Sequence, residues 1–300
     1  MNIIITGATG FVGQNLQKYL NERQYEINVL SLRKKDWRQD FSAEADAIIH
    51  LAGKAHDTSN KVLESEYLKV NRDLTIELFE LFLTSEVRDF FYFSSVKAVA
   101  DTVRGVLTEE VSACPRTVYG KSKSEAERYI LSKKIPVGKR VFIIRPCMIH
   151  GPGNKGNLNL LYNVVKRNIP WPLAAFRNQR SFLGIDNLNY LVRNILLKSD
   201  VESGVYNFSD DEPLSTNELV SLISKTLNKD SKMWEIPENV VQGIAKIGDL
   251  LSLPINSDRL KKLTESYVVS NMKIKKALDI DRLPLSTKDG LVRTIESFMH

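Results

Sequence analysis

The chain has 300 residues, 43% of them hydrophobic, which is enough apolar content to bury a large core in one extended domain or two smaller ones. Its net charge of +6 is scattered through segments such as KRNI, RLKKL and KIKK. No basic block marks a nucleic-acid-binding face, so the excess reads as a solvated surface or as attraction for small anionic substrates. Cys114 and Cys147 lack CxxC spacing and the four histidines are dispersed, so neither a disulfide framework nor a metal site is indicated. No apolar run approaches ~18 residues, and MNIIITGATG lacks a basic lead and a cleavage site, so a soluble cytoplasmic protein without membrane insertion is expected.

The first segment, NIIITG, is a short apolar strand. GATGFVGQNLQKYL then reads as a glycine turn entering an amphipathic helix, and YEINVLSL as a second strand, which completes a βαβ unit. A third strand, ADAIIHLAG, precedes a long helical stretch, KVLESEYLKVNRDLTIELFELFLTS. DFFYFSS is the fourth strand, TVYGKSKSEAERYI a helix and KRVFIIRP the fifth strand. This alternation predicts a doubly wound, Rossmann-type parallel sheet over residues 1–150. After GPG at 151–153 the pattern loosens into helices with short strands such as RSFLGI and GVYNFS. Residues 151–300 are therefore expected to form a smaller α/β cap, with some elements returning to the first domain.

In GATGFVG, Gly7, Gly10 and Gly13 stand three apart between a strand and a helix. The first permits a tight turn, the second lets backbone approach a pyrophosphate and the third lets helix and strand pack closely, which points to dinucleotide binding. In the fourth helix, Tyr119 and Lys123 are four residues apart and so share one face, one turn from each other. GKS at 120–122 is not the end of a P-loop: GxxxxGK[ST] requires glycine at 115, where Pro115 stands.

The glycine spacing, the YxxxK pair and Ser94-Ser95 at the end of the fourth strand together resemble the extended short-chain dehydrogenase/reductases, in particular the NAD(P)-dependent nucleotide-sugar epimerases, dehydratases and 4-keto-reductases. HLAGKAH (50–56), Asn71 in YLKVN, RPCMIHGPG (145–153) and RSFLGIDNL (180–188) extend that resemblance over nearly the whole chain. The resemblance implies a catalytic group of Ser95, Tyr119 and Lys123. It further implies that Gly7, Thr9, Gly10, Phe11, Val12, Gly13, Arg33, Asp40, Leu51, Ala52, Gly53, Asn71 and Pro146 contact the cofactor, together with Tyr119 and Lys123. A phenol with pKa near 10 is a poor base at neutral pH, and a nearby ammonium and a cationic nicotinamide ring would favour its phenolate.

The second strand ends in Ser31, Arg33, Lys34 and Lys35, with no acid to bind a ribose 2′-hydroxyl. A basic cluster attracts a 2′-phosphate, so NADP is favoured over NAD. For the substrate, the resemblance implies a nucleoside diphosphate sugar, most often UDP-linked. Arg180 and Asn157 match the family's diphosphate contacts, Arg259 is a further cation, and His56 and Ser95 are expected at the sugar. His150 replaces a tyrosine of the family pattern and has no expected role. Dehydratases of the family carry an Asp-Glu pair just after the catalytic Ser/Thr, where this chain has Val96-Lys97, so a 4-keto-reductase or a 4-epimerase is expected. SSVKAVAD and GPGNKGNLNLL most resemble bacterial members acting on UDP-N-acetylhexosamines or their 4-keto-6-deoxy derivatives for surface polysaccharides. A dinucleotide-sensing protein without turnover is disfavoured, because Tyr119 and Lys123 are both retained. The resemblance also implies a homodimer formed through helices at 62–84 and 118–133.

Overall fold

The computed structural model describes residues 1–54, 63–154, 157–250 and 256–299. Strand β1 (Asn2–Thr6) leads into helix α1 (Phe11–Asn21), then β2 (Glu26–Leu30) and β3 (Ala47–His50). Helices α2 (Glu64–Leu68) and α3 (Leu74–Thr84) follow, then β4 (Asp89–Phe93), the two-residue β5 (Val106–Leu107), α4 (Val118–Leu131) and β6 (Arg140–Pro146). Next come β7 (Met148–His150), α5 (Asn157–Lys166), β8 (Phe182–Gly184), α6 (Ile185–Leu197) and β9 (Gly204–Phe208). The chain continues with α7 (Thr216–Thr226), α8 (Glu238–Leu250), α9 (Ser257–Thr264), β10 (Val268–Val269), α10 (Met272–Leu278) and α11 (Thr287–Glu296).

Six strands form one parallel sheet in the order β2-β1-β3-β4-β6-β9. β1 pairs with β2 on one side and β3 on the other, so the chain reverses its direction of travel across the sheet at that point. Open sheets of this kind bind ligands beyond the carboxyl ends of their strands at such a switch. Side chains alternate between the two faces of each strand, and both faces are covered. Ile3 and Ile5 pack with Leu16 and Leu20 of α1 and with Leu188 and Leu191 of α6. Ile4 faces the other way, toward Phe79 and Phe82 of α3 and Ala126 and Ile130 of α4. A third cluster, with Tyr162, Trp171, Phe176, Leu219 and Leu291, packs α5, α7 and α11 together.

Two elements add to the reading of the sequence. GVYNFS, a short strand after the GPG segment, is β9 and returns to the first domain as the sixth strand of the main sheet, with Ile144 opposite Tyr206 and Pro146 opposite Phe208. Tyr206 and Phe208 are buried against β6, and a fully buried strand of this length looks alike in sequence wherever it pairs. The long helical stretch is interrupted by a π-helical turn, Lys69–Asp73, between α2 and α3. π-turns occur frequently at functional sites because the wider turn re-aims the side chains it carries. Here it carries Asn71.

Candidate active site

The glycine turn connects β1 to α1 at the switch point. Gly7 has φ +70°, and a Cβ there would lie 2.5 Å from the Ala52 nitrogen at the end of β3. No other residue type fits, because both the left-handed backbone and the close approach of a second strand exclude a side chain. A Cβ on Gly13 would stand 2.4 Å from the Gly7 oxygen, so α1 can lie against the turn only with glycine there. Gly10 N–H donates to the Gly7 oxygen at 3.0 Å and closes the turn. Gly10 is also the N-cap of α1, with no side-chain cap and no acid in the first turn. The first amides of the helix, on Phe11, Val12 and Gly13, are therefore available to an anion, and the helix dipole favours negative charge there. Thr9 is exposed on the turn, its carbonyl accepting from Gln14 Nε2 at 3.1 Å.

A hydrogen-bond chain fixes the floor of this cradle. The Ala52 amide donates to Thr6 Oγ1 (3.1 Å), and Thr6 pairs with His50 Nδ1 (2.7 Å). His50 Nε2 meets Thr75 Oγ1 (2.8 Å), which donates to the Asn71 carbonyl at 2.9 Å. Because the chain starts at a backbone N–H and ends at a backbone carbonyl, every proton in it is directed, and His50 carries its hydrogen on Nε2. Burial, with the Lys123 charge nearby, lowers the His50 pKa to about 3, so the ring is neutral across the physiological range. Asn71 accepts from the Lys54 amide (2.7 Å) and donates to the Lys54 carbonyl (3.1 Å) and Ser122 Oγ (3.0 Å). It thereby ties the loop after β3, containing Leu51, Ala52 and Gly53, to α4.

At the end of β2, Arg33, Lys34 and Asp40 are all exposed. Asp40 accepts from Lys34 at 2.6 Å, so these two charges engage each other. Arg33 has no such partner among the described residues.

Ser95, Tyr119 and Lys123 come together where β4 ends and α4 begins. Thr117 caps α4 by accepting from Gly120 N–H at 3.2 Å. Asp101 accepts from the Arg116 and Thr117 amides (2.6 and 3.2 Å) and the Thr117 hydroxyl (3.0 Å), fixing the first turn that presents Tyr119. Tyr119 and Ser95 share a side-chain hydrogen bond. The Tyr119 ring meets Tyr67 edge-on, with centroids 6.4 Å apart. Burial raises the phenol's pKa, and the Ser95 hydrogen bond acts against that rise. Lys123 is buried; its ammonium donates to the Phe93 carbonyl at 2.8 Å and lies 4.9 Å from the centre of the Tyr92 ring. The ammonium is thus committed to the end of β4, and the helical spacing alone does not deliver it to the phenol. Burial brings the Lys123 pKa down to about 8, against the favourable charge of Glu127. A Cβ on Gly53 would stand 3.1 Å from both Lys123 Nζ and Asn71 Oδ1, which places Lys123 at the junction of the cradle and the Ser95–Tyr119 pair.

Among the residues expected at the substrate, Arg180 is partly buried and its guanidinium donates to the Lys262 carbonyl of α9. Arg259 is exposed on α9, one turn before Lys262. Asn157 begins α5, and Pro146 is buried at the end of β6. His56 lies outside the described residues. The sequence patterns assign no role to His50, Asp101, or the buried Glu127–Arg145 pair, in which Arg145 Nη2 donates to Glu127 Oε2 at 2.5 Å. Glu127 is one turn beyond Lys123, so the spacing Tyr119, Lys123, Glu127 is the signal that could have found it. His150, for which the sequence suggests no role, is buried and bonded through Nδ1 to Thr294 Oγ1 at 2.9 Å, joining β7 to α11. Among the described residues, no group of acids, histidines and cysteines could hold a metal, and no helix is long and apolar enough to cross a membrane.

A glycine cradle at the switch point, beside a serine, tyrosine and lysine at the carboxyl edge of the sheet, defines a nicotinamide-dinucleotide-dependent oxidoreductase of the short-chain type. The comparisons agree: the model of the NAD dependent epimerase/dehydratase family matches residues 3–188, and the chain belongs to that family of nucleotide-sugar enzymes. The UDP-glucose 4-epimerase of Vibrio cholerae is 29% identical, with 99% of this chain and 95% of the relative covered. The N-acetyl-alpha-D-glucosaminyl-diphospho-ditrans,octacis-undecaprenol 4-epimerase of Escherichia coli O157:H7 is 26% identical, with 100% and 96% covered. Among solved structures, RMD from Pseudomonas aeruginosa complexed with NADPH superimposes with a TM-score of 0.74 at 22% identity, covering 99% of this chain and 98% of that one.

Proposed function

We propose that the protein is a 4-keto-reductase that uses NADPH to reduce a UDP-linked 4-keto-6-deoxy-N-acetylhexosamine for surface polysaccharide synthesis. The observation that carries this reading is the end of β2, where no acid stands and Arg33 is exposed while Lys34 and Asp40 engage each other. An acid there would repel a 2′-phosphate, and a guanidinium without a carboxylate partner can bind one bidentately. The residues present fit a dinucleotide, since a Cβ at Gly7 or Gly13 would fill the cradle and the first turn of α1 is uncapped. In this reading those amides and Arg33 hold the phosphates and Lys123 holds the ribose side, while Asn71, whose side chain is engaged with Lys54 and Ser122, fixes the loop that carries Gly53. The cofactor supplies the hydride.

Tyr119 gives its proton to the C4 oxygen, and Ser95 donates a hydrogen bond to the same oxygen and aligns it. Burial keeps the Tyr119 phenol protonated at neutral pH, so the proton that this step transfers is in place. Arg180 binds the substrate diphosphate, with Asn157 and His56 as further contacts and Arg259 at the rim. Two relatives named for 4-epimerases support chemistry at C4, and one of them is named for an N-acetylglucosaminyl-diphospho-undecaprenol.

Replacing Arg33 by alanine is expected to weaken NADPH binding by about 1–3 kcal/mol and to leave NADH binding nearly unchanged. Fluorescence titration with each cofactor measures this, and equal losses for both would remove Arg33 from the 2′-phosphate. The reaction itself is tested with purified protein. NADPH oxidation is expected with a UDP-linked 4-keto-6-deoxy-N-acetylhexosamine, and no C4 epimer is expected from UDP-N-acetylglucosamine without added cofactor. Appearance of that epimer would replace the reductase with the second reading, an epimerase that keeps NAD bound through both half-reactions, which the two named relatives favour.

A further inference from the structure

Two residues beyond Ser95, a single 3-10 turn, Val96–Ala98, carries Lys97. The Lys97 amide donates to Ser95 Oγ at 3.2 Å, so this lysine and the hydroxyl bonded to Tyr119 belong to one rigid turn. The Lys97 ammonium lies 4.2 Å from the centre of the Tyr267 ring and donates to the Asp101 carbonyl at 2.8 Å. The Tyr267 hydroxyl donates to the Ala100 carbonyl at 2.7 Å, which fixes the ring under the ammonium. Tyr267 is also a backbone bridge partner of Arg180, so the segment that carries the ring runs beside the segment that carries the guanidinium. Both cations are partly buried, and among the described residues neither forms an ion pair.

Burial disfavours the charge of each. Arg180 and Lys261 oppose the Lys97 charge further, while Asp101 and Glu265 support it; Glu265 alone supports Arg180. Two partly desolvated cations in one corner, without a carboxylate bonded to either, cost free energy that a bound anion would offset. A lysine acts as a compact point charge and an arginine as a planar fork, so the pair suits a ligand with two adjacent phosphoryl groups. The position fits as well. C4 of a pyranose and its anomeric diphosphate lie at opposite ends of one ring, and a long side chain one turn from Ser95 can reach from the first toward the second.

We propose that Lys97 is a second cationic ligand of the substrate, completing with Arg180 a subsite for the diphosphate of a sugar nucleotide. This rests on the nucleotide-sugar reading above and adds to it a residue that sets substrate affinity. The subsite holds the diphosphate between the ammonium over Tyr267 and the guanidinium anchored on Lys262, and so sets the distance from the anomeric end to Ser95 and Tyr119.

The test is calorimetric titration of the full chain with UDP, comparing the wild type with Lys97→Gln, Lys97→Met and Lys97→Arg. The two neutral variants are expected to lose about tenfold or more in UDP affinity, the scale of one charge-assisted hydrogen bond. Lys97→Arg is expected to stay within about threefold of the wild type, and the loss in the neutral variants should shrink as salt is raised. Lys97→Met keeps an unbranched stem over Tyr267, so it separates lost charge from lost packing if Lys97→Gln is poorly folded. Unchanged UDP affinity in both neutral variants overturns the role of Lys97 and leaves the nucleotide-sugar reading standing. Equal loss in Lys97→Arg, with a lowered melting temperature in all three, overturns it in favour of a structural role. Absence of UDP binding by the wild type overturns both this subsite and the UDP-linked substrate.

Discussion

Tyr119→Phe is expected to lower turnover by ~10²-fold or more while leaving cofactor affinity close to that of the wild type. The substitution removes only the hydroxyl, the atom that bonds Ser95, and keeps the ring that packs edge-on against Tyr67 at 6.4 Å. The cradle formed by Gly7, Gly13 and the first turn of α1 does not involve that oxygen. Steady-state rates with NADPH, together with a separate binding titration, measure the two quantities independently. A variant with full activity would remove the proton donor from the proposed reaction and leave the Ser95–Tyr119 contact as a packing feature.

Lys123→Met is expected to lose both turnover and cofactor affinity, each by about tenfold or more. The lysine lies between the two halves of the site, with its ammonium on the Phe93 carbonyl and close to the Gly53 backbone and Asn71. The loss therefore differs in kind from that of Tyr119→Phe, which spares binding. The pH dependence carries the same signature. Burial brings the Lys123 pKa to about 8 in the cofactor-free protein, so the ammonium is present at neutral pH and is lost as pH rises through that value. Cofactor binding is expected to weaken above pH 8 in the wild type. In Lys123→Met that limb should be absent. A limb that persists unchanged would assign the titration to another group.

How far the site was legible before folding follows from the range over which each feature is encoded. The Gly7, Gly10, Gly13 spacing and the Tyr119-x-x-x-Lys123 pair are local patterns, and their geometry follows from a turn or a helix of a few residues. The order of strands and helices is local as well, since each hydrophobic period is read within its own segment. For this reason the glycine turn, the βαβ start and α4 were visible in the chain itself. β9 was legible as a strand but its place in the sheet was not, because a buried strand of five residues carries no sign of the strand it will pair with. The interruption of the helical stretch at Lys69–Asp73 was also hidden, because KVNRD contains no glycine or proline to mark a break.

The chemistry at the site depended more heavily on contacts between distant segments. Sequence spacing put Lys123 one turn from Tyr119, but the fold attached its ammonium to Phe93, thirty positions earlier, and turned its pKa down by burial. The Ser95–Tyr119 bond, the directed chain from Ala52 through His50 to Asn71, and the meeting of Lys97 with Tyr267 beside Arg180 all join segments far apart in the chain. What the amino-acid sequence determined by itself was the class of cofactor site and the helical spacing of Tyr119 and Lys123. The tertiary structure alone decided which charges are desolvated and which are partnered, because burial and hydrogen bonding are properties of the packed neighbourhood and not of residue order.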